Sequence, residues 1–242
     1  MMPLMDRLAG AAELLDGSLD DARTLVGNLR DLRRVNRLLG GVALSRRALD
    51  VLVGGLADRD VAISLLDVGT GAADIPVALI ADWRHRRRRL EITAIDERPE
   101  VLAAARVADP RLAGTPRLTL EIADGRTLPY PDDAFDVAHA SLLLHHLDPT
   151  EAVAALREMR RVATRGVVIN DLSRSRVAWL GAWILAHVAT RNRYTRHDAP
   201  LSVRRAYTAV EAEALLLSAG LRPVRRLMGP FRHRWAIAAV RL

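Results

Sequence analysis

Leu65-Leu66-Asp67-Val68-Gly69-Thr70-Gly71-Ala72-Ala73-Asp74-Ile75-Pro76 decides the fold. An apolar run ends in a glycine turn that opens directly into a helix, an arrangement that lets backbone approach a nucleotide-like ligand. In a dinucleotide site the pattern is G-x-G-x-x-G, and bare helix N–H groups face a pyrophosphate. Here the third glycine position is Asp74. A carboxylate where two phosphates would sit is electrostatically unfavourable, whereas an amino or sulfonium charge without phosphate is tolerated or preferred. The loop therefore favours S-adenosylmethionine over NAD.

Outward from this turn, short apolar runs alternate with helical segments. Strands are expected near 63–67, 91–95, 117–122, 135–140 and 166–170, with helices near 73–86, 98–108 and 150–162. Such alternation builds βαβ units and a parallel sheet covered on both faces. After the fifth strand come an apolar helix over 175–191, a polar loop from Arg191 to Pro200, and a helix over 208–219 closed by Gly220. Strands near 221–227 and 233–240, joined through Met228-Gly229-Pro230-Phe231, make a hairpin-like finish. The expected class is α/β: a Rossmann-like, mostly parallel seven-stranded sheet flanked by helices. Residues 1–60, with Leu25, Leu29, Leu32, Leu38 and Leu39 at helical spacing, read as an N-terminal helical cap of two or three helices. Residues 61–242 then form the cofactor-binding domain, with 175–207 a helical insertion on the substrate side.

At 242 residues, 50% of them hydrophobic, the chain can bury a full core. All 36 residues counted as Lys plus Arg are arginine, so the net charge of +7 is weak evidence for a nucleic-acid partner. The run Trp83-Arg84-His85-Arg86-Arg87-Arg88-Arg89 falls where a helix should end, and cations suit a helix C-terminus. With no cysteine, there is no disulfide, thiolate metal site or cysteine nucleophile. Asp6 and Arg7 interrupt the apolar pieces at the start, unlike a signal peptide. The best membrane candidate, Val177 to Ala189, is shorter than the roughly 20 residues a span requires. The expectation is a soluble, cytoplasmic protein.

Open α/β sheets bind ligands beyond the carboxyl ends of their strands. Asp67 with Gly69, Thr70 and Gly71 closes the first strand, Asp96 followed by Glu97 ends the second, and Asp124-Gly125 ends the third. A carboxylate after the second strand can accept two hydrogen bonds from ribose hydroxyls. One at Asp124 can accept from an exocyclic adenine amine. Any single aspartate here could be a turn or cap residue, but three at successive strand ends, in phase with the glycine turn, point to a site.

These motifs, together with Asp124-Gly125-Arg126-Thr127-Leu128-Pro129-Tyr130, Phe135-Asp136-Val137-Ala138, Leu144-His145-His146-Leu147 and Leu156-Arg157-Glu158-Met159-Arg160-Arg161-Val162, resemble class I S-adenosylmethionine-dependent methyltransferases. The resemblance is to the small-molecule branch that includes ubiquinone/menaquinone methyltransferases, and it is strong over roughly residues 60–172. It implies that the glycine turn and Asp67 hold the methionine part, Asp96 the ribose, and Asp124 with Gly125 the adenine. One departure is Ala163-Thr164-Arg165-Gly166, where the family has a Pro-Gly-Gly turn before the fifth strand. The tail Arg196 to Thr208 also resembles a subgroup linked with polyketide phenol tailoring.

Methyl transfer from a sulfonium is an in-line displacement, so the protein mainly positions the acceptor and excludes water. A phenol with a pKa near 10 gains from a general base, and imidazole is the side chain tuned nearest neutral pH. His145 and His146 follow the fourth strand on the side where the methyl group emerges, while His139 faces into the sheet. One of the pair is the first choice for the base; the alternative is that both order a loop. Asn170-Asp171 ends the fifth strand and could bond the acceptor or help hold a divalent ion, but companion ligands are lacking and no metal is expected. Trp179 and Trp183, one turn apart in the apolar helix, could roof an acceptor pocket, belong to the core, or face a second copy in a homodimer.

The expected function is methyl transfer to a small aromatic or lipophilic acceptor, at a phenolic or polyketide-type oxygen, with carbon or nitrogen as alternatives. Nucleic acid is the main rival substrate. Cytosine carbon-5 chemistry requires the missing cysteine, Ser141-Leu142-Leu143-Leu144-His145-His146 stands where amino-methylating DNA enzymes carry an Asn/Asp-Pro-Pro-aromatic loop, and only 4% of the chain is aromatic. A non-catalytic cofactor-binding module is the other rival, but the cofactor residues are intact.

Overall fold

The computed structural model describes residues 5–19, 21–55 and 61–242. The expected boundary at residue 60 lies outside the described residues. Seven strands form one sheet: β1 (Ile63–Val68), β2 (Leu90–Asp96), β3 (Leu118–Ile122), β4 (Phe135–Ser141), β5 (Ala163–Leu172), β6 (Leu221–Met228) and β7 (Arg234–Arg241). Their order is β3-β2-β1-β4-β5-β7-β6, with the first five parallel and β7 antiparallel to both neighbours. The order reverses between β1 and β4, so the crevice beyond their carboxyl ends is where such a sheet takes a ligand.

Alternate residues of each strand feed two apolar layers. Leu66, Val68, Ala138, Ala140, Val167 and Ile169 pack on one face with α5 (Pro149–Val162) and α8 (Ala209–Ser218). Ile63, Leu65, Ile92, Val137 and Val168 pack on the other with α2 (Gly41–Val53) and α3 (Asp74–His85). Burial on both faces explains why the central strands are continuously apolar rather than alternating. Helix α5 shows how local sequence sets an element. Asp148 and Glu151 form a reciprocal capping box, Pro149 takes the first turn, and Ala152, Ala155, Leu156, Met159 and Val162 make its buried stripe.

Two helices at the start of the chain join this body. α1 (Ala22–Leu38), capped by Asp21, packs on α4 (Pro99–Ala108), and α2 packs over β5 and β7. The arginine run ends α3 as expected: Arg86 pairs with Asp50 and Asp82, and Arg88 lies over the Trp83 ring.

Two expectations need correction. The polar loop from Arg191 to Pro200 is instead helix α7 (Arg193–Arg205), capped by Asn192, whose side chain accepts from the N–H groups of Tyr194 and Thr195. Its polar residues are committed inward, Asp198 accepting from the N–H groups of Leu14 and Leu15, which a reading of local polarity cannot anticipate. The segment Ala163 to Gly166 is not a turn but the first part of β5, entered directly from α5. Its register against β4 shifts between Phe135 and Val137, and Gly166 takes φ +147° with the Ala239 carbonyl where a Cβ would stand.

Candidate active site

A cavity of about 350 Å³ opens at the switch point. Its walls are the loops after β1 to β4 together with α1 and the segment before it. Gly69, Thr70, Gly71, Asp74, Asp96, Glu97, Asp124, Gly125 and His146 all line it.

The glycine turn lines the cavity. Gly69 and Gly71 have φ of +68° and +53°, in the left-handed region that a side chain disfavours. A Cβ on Gly69 would come within 2.9 Å of Leu143, whereas one on Gly71 would meet nothing within 4 Å, because that position faces the cavity. The Asp96 carboxylate accepts from the Gly71 N–H at 3.0 Å and the Arg98 N–H at 3.1 Å, tying the turn to the end of β2. Burial pushes this carboxyl up, and those two N–H donors oppose the push.

Asp74 opens α3, so the cationic end of that helix dipole already carries a carboxylate. Asn36 donates to its Oδ1 at 3.3 Å, while Oδ2 is buried with no hydrogen-bond partner. Burial raises its pKa. Thr70 Oγ1 is likewise buried and unpartnered. An unpartnered carboxylate oxygen and an unpartnered hydroxyl beside an open glycine suit an ammonium group, and the carboxylate disfavours a phosphate. At the far end, Arg126 grips Asp124 through a fork at 3.0 Å and reaches Glu97 at 3.1 Å and Glu151 at 3.4 Å. The guanidinium thus ties together the segments after β2 and β3 and the start of α5.

The histidine pair divides. His146 faces the cavity and its Nδ1 meets Asp16 at 2.8 Å. His145 is buried behind it, its Nδ1 held by Asp171 at 2.7 Å, while its N–H donates to the same carboxylate. Asp171 is fully buried, which pushes its pKa up, but His145, the Leu172 N–H and Arg234 together hold it below the usual value. Between the two rings lies Glu13, only 3% exposed, with Oε1 at 3.8 Å from His145 Nε2 and Oε2 at 4.0 Å from His146 Nε2. Burial pushes the Glu13 carboxyl up to about 7, against the pull of His146, Ser202 and Arg205. Glu13, His145 and His146 offer atoms within 4.8 Å of one another, close enough to surround a cation, but the Arg205 guanidinium already stands 3.5 Å from Glu13 and bonds Asp16.

Several expected residues do not reach the cavity. Asp67, expected at the methionine end, is buried with its carboxylate 2.5 Å from His139 Nδ1, and the other side of that ring meets Ser45 at 2.8 Å. Asn170 is fully buried on structural duty: it donates to the Gly41 carbonyl and Ser45 and accepts from Arg234. With Asn170 so engaged and Asp171 holding His145, this pair does not face an acceptor. Trp179 and Trp183, on α6 (Arg176–Ala189), are also absent from the lining. Conversely, the sequence reading gave no role to Glu13, Asp16, Asn36, Arg126 or Arg205. Arg126 had a signal, two residues beyond Asp124; the others sit far away in the chain with nothing local to mark them.

Residues 65–166 match the family model described as a methyltransferase domain. This stretch resembles methyltransferase domains. The chain is 32% identical over 113 residues to the ubiquinone/menaquinone biosynthesis C-methyltransferase of Geobacter sp. (strain M21), covering 45% of each chain. It is 35% identical over 106 residues to the malonyl-[acyl-carrier protein] O-methyltransferase of Halorhodospira halophila, covering 43% of this chain and 33% of that protein. The matched stretch thus spans less than half the length of either relative. A methyltransferase from Aquifex aeolicus, described as S-adenosylmethionine-dependent, shares the fold, with a TM-score of 0.63 at 19% identity over 90% of this chain and 98% of that one. The unpartnered Thr70 and Asp74 oxygens beside Gly71 fit the amino end of S-adenosylmethionine.

Proposed function

We propose that this chain transfers a methyl group to a small aromatic or lipophilic acceptor, at a phenolic or polyketide-type oxygen. The observation that carries the reading is His146, set in the cavity wall with Nδ1 occupied by Asp16, so that Nε2 is the nitrogen left to take a proton. Leu15, Leu25, Leu29, Leu143 and Leu147 also line the cavity, apolar surface that suits a ring or lipophilic chain.

When bound, S-adenosylmethionine supplies an electrophilic methyl on a sulfonium. Asp74 and Thr70 take the amino end, Asp96 accepts from the ribose hydroxyls, and Asp124 with Gly125 borders the adenine. His146 Nε2 would take the proton of the acceptor hydroxyl, and the bound cofactor would supply the methyl group that the oxygen receives. Asp16 holds the imidazole by Nδ1 and balances the imidazolium that forms. His145 with Asp171 forms the rigid backing of this loop, which combines the two readings of the pair.

A carbon acceptor in a quinone precursor is the second reading, favoured by the likeness to the Geobacter C-methyltransferase. Methyl-labelled S-adenosylmethionine offered with phenols, hydroquinones and RNA decides among them. Label on a phenolic oxygen supports the proposal, label on ring carbon supports the second reading, and label in RNA alone or in no acceptor sinks both.

A further inference from the structure

Helix α6 carries an apolar face that no other part of the described chain covers. Val177 is 65% exposed, Leu180 50%, Ile184 46% and Val188 82%, with Trp183 and Leu185 also exposed. At 100° per residue Val177, Leu180, Ile184 and Val188 fall within about 80° of one another on one side of the helix, while Ala178 and Ala186 make the inner contact. Single exposed apolar residues are ordinary; a contiguous row of this kind along a helix marks an interaction surface.

The charges around it narrow the occupant. Between Leu172 and His197 the chain holds no aspartate or glutamate. Arg176 precedes the exposed row and Arg191 and Arg193 follow it, all three exposed. Arg193 has one distant ion pair, to Asp21 at 3.8 Å. A second copy of the chain fits poorly. Antiparallel pairing of two α6 helices sets Arg176 of each copy near Arg191 and Arg193 of the other, with no acid on the stretch to offset the repulsion. An anionic lipid surface satisfies both features, since acyl chains cover the apolar row and headgroups neutralise the arginines. Among the described residues no helix is long and apolar enough to cross a membrane, and α6, at 14 residues, has the length of an interfacial segment.

We propose that α6 docks the protein on an anionic lipid surface, lying in the interface plane with Val177, Leu180, Ile184 and Val188 among the acyl chains and Arg176, Arg191 and Arg193 at the headgroups. The inner side of α6 packs on α7, whose Ser202 and Arg205 bond Glu13 and Asp16. The docked face is therefore one helix away from the acceptor end of the cavity.

Vesicle sedimentation of the full chain tests this, using phosphatidylcholine alone and phosphatidylcholine with about a quarter phosphatidylglycerol. Wild type is expected to co-sediment with the anionic vesicles and to be released by roughly 0.5 M salt. The Ile184→Ser/Val188→Asp variant is expected to lose about tenfold or more in partitioning, and Arg176→Ala/Arg191→Ala to lose the preference for anionic lipid, each with unchanged circular dichroism. Absence of wild-type binding to either vesicle overturns the proposal, as does binding that these variants leave intact. A wild-type dimer that the Ile184→Ser/Val188→Asp change converts to monomer, without vesicle binding, assigns the face to a second copy instead. None of these readouts depends on methyl transfer, so failure here is separate from failure of the proposed activity.

Discussion

Replacing Asp96 by alanine probes the cofactor end of the cavity most directly. The carboxylate is 8% exposed, accepts from the Gly71 and Arg98 N–H groups, and has its remaining lone pairs toward the cavity. If it takes both ribose hydroxyls, two bonds to a charged acceptor are lost, at about 1.5–3 kcal/mol each. Even the lower figure gives about 3 kcal/mol, or roughly a 100-fold rise in the dissociation constant of S-adenosylmethionine. The same substitution frees the two N–H groups, which weakens the turn itself, so Asp96→Asn is the informative partner. It retains an oxygen for the backbone but loses the charge, and its affinity should fall between wild type and Asp96→Ala. Isothermal calorimetry reads both constants, and thermal melting separates them from any loss of fold. A folded Asp96→Ala protein that binds within about threefold of wild type would refute the ribose assignment, because no arrangement of two charged hydrogen bonds is worth so little in a buried site.

His146→Ala should lower kcat by about 100-fold while leaving cofactor affinity nearly unchanged, as steady-state kinetics on the true acceptor will measure; undiminished turnover removes the base assignment. Glu13 gives a pH signature. Its carboxyl moves from 4.5 to about 7 on folding, so the folded state binds the extra proton and stability falls as pH rises from about 4.5 to 7, by about 3 kcal/mol, then levels off. Glu13→Gln should flatten that decline and melt higher than wild type at pH 8, and a parallel pH profile for the two proteins would contradict the burial argument. Arg234 is fully buried and donates to Asn170, Asn36 and Ser141, with burial pushing its pKa down to about 10. Arg234→Ala strands those acceptors and should cost about 3–5 kcal/mol in denaturant unfolding; a loss under 1 kcal/mol, on the scale of an exposed pair, would show that the network contributes little.

The parts of the fold legible in the sequence are those with a local cause. The seven strands, α3, α4, α5 and α8 announce themselves by apolar runs, caps and glycine, and the glycine turn announces the cofactor end through Asp74, Asp96 and Asp124. Helix α7 is not legible locally because its polarity is spent on the interior, on contacts with residues almost two hundred positions away, such as Ser202 with Glu13. Asp67 and Asn170 lie away from the cavity lining for a related reason. A polar residue at a strand end can point along the strand toward the cavity or sideways into the sheet, and only the packed neighbours His139, Ser45 and Arg234 decide which.

Sequence by itself determined the class of sheet, the place of the glycine turn, and the preference for an unphosphorylated, cationic cofactor, because strand and turn chemistry is written within a few neighbouring residues. Tertiary structure alone decided which histidine lines the cavity. His145 and His146 are adjacent in the chain and chemically identical, but a 3-10 turn sends one ring behind the wall to Asp171 and the other into the cavity beside Asp16. It also decided that the apolar helix after β5 is neither core nor cavity roof. Periodicity records how apolar a helix is, but whether another element arrives to cover its outer face is a property of the whole chain's packing.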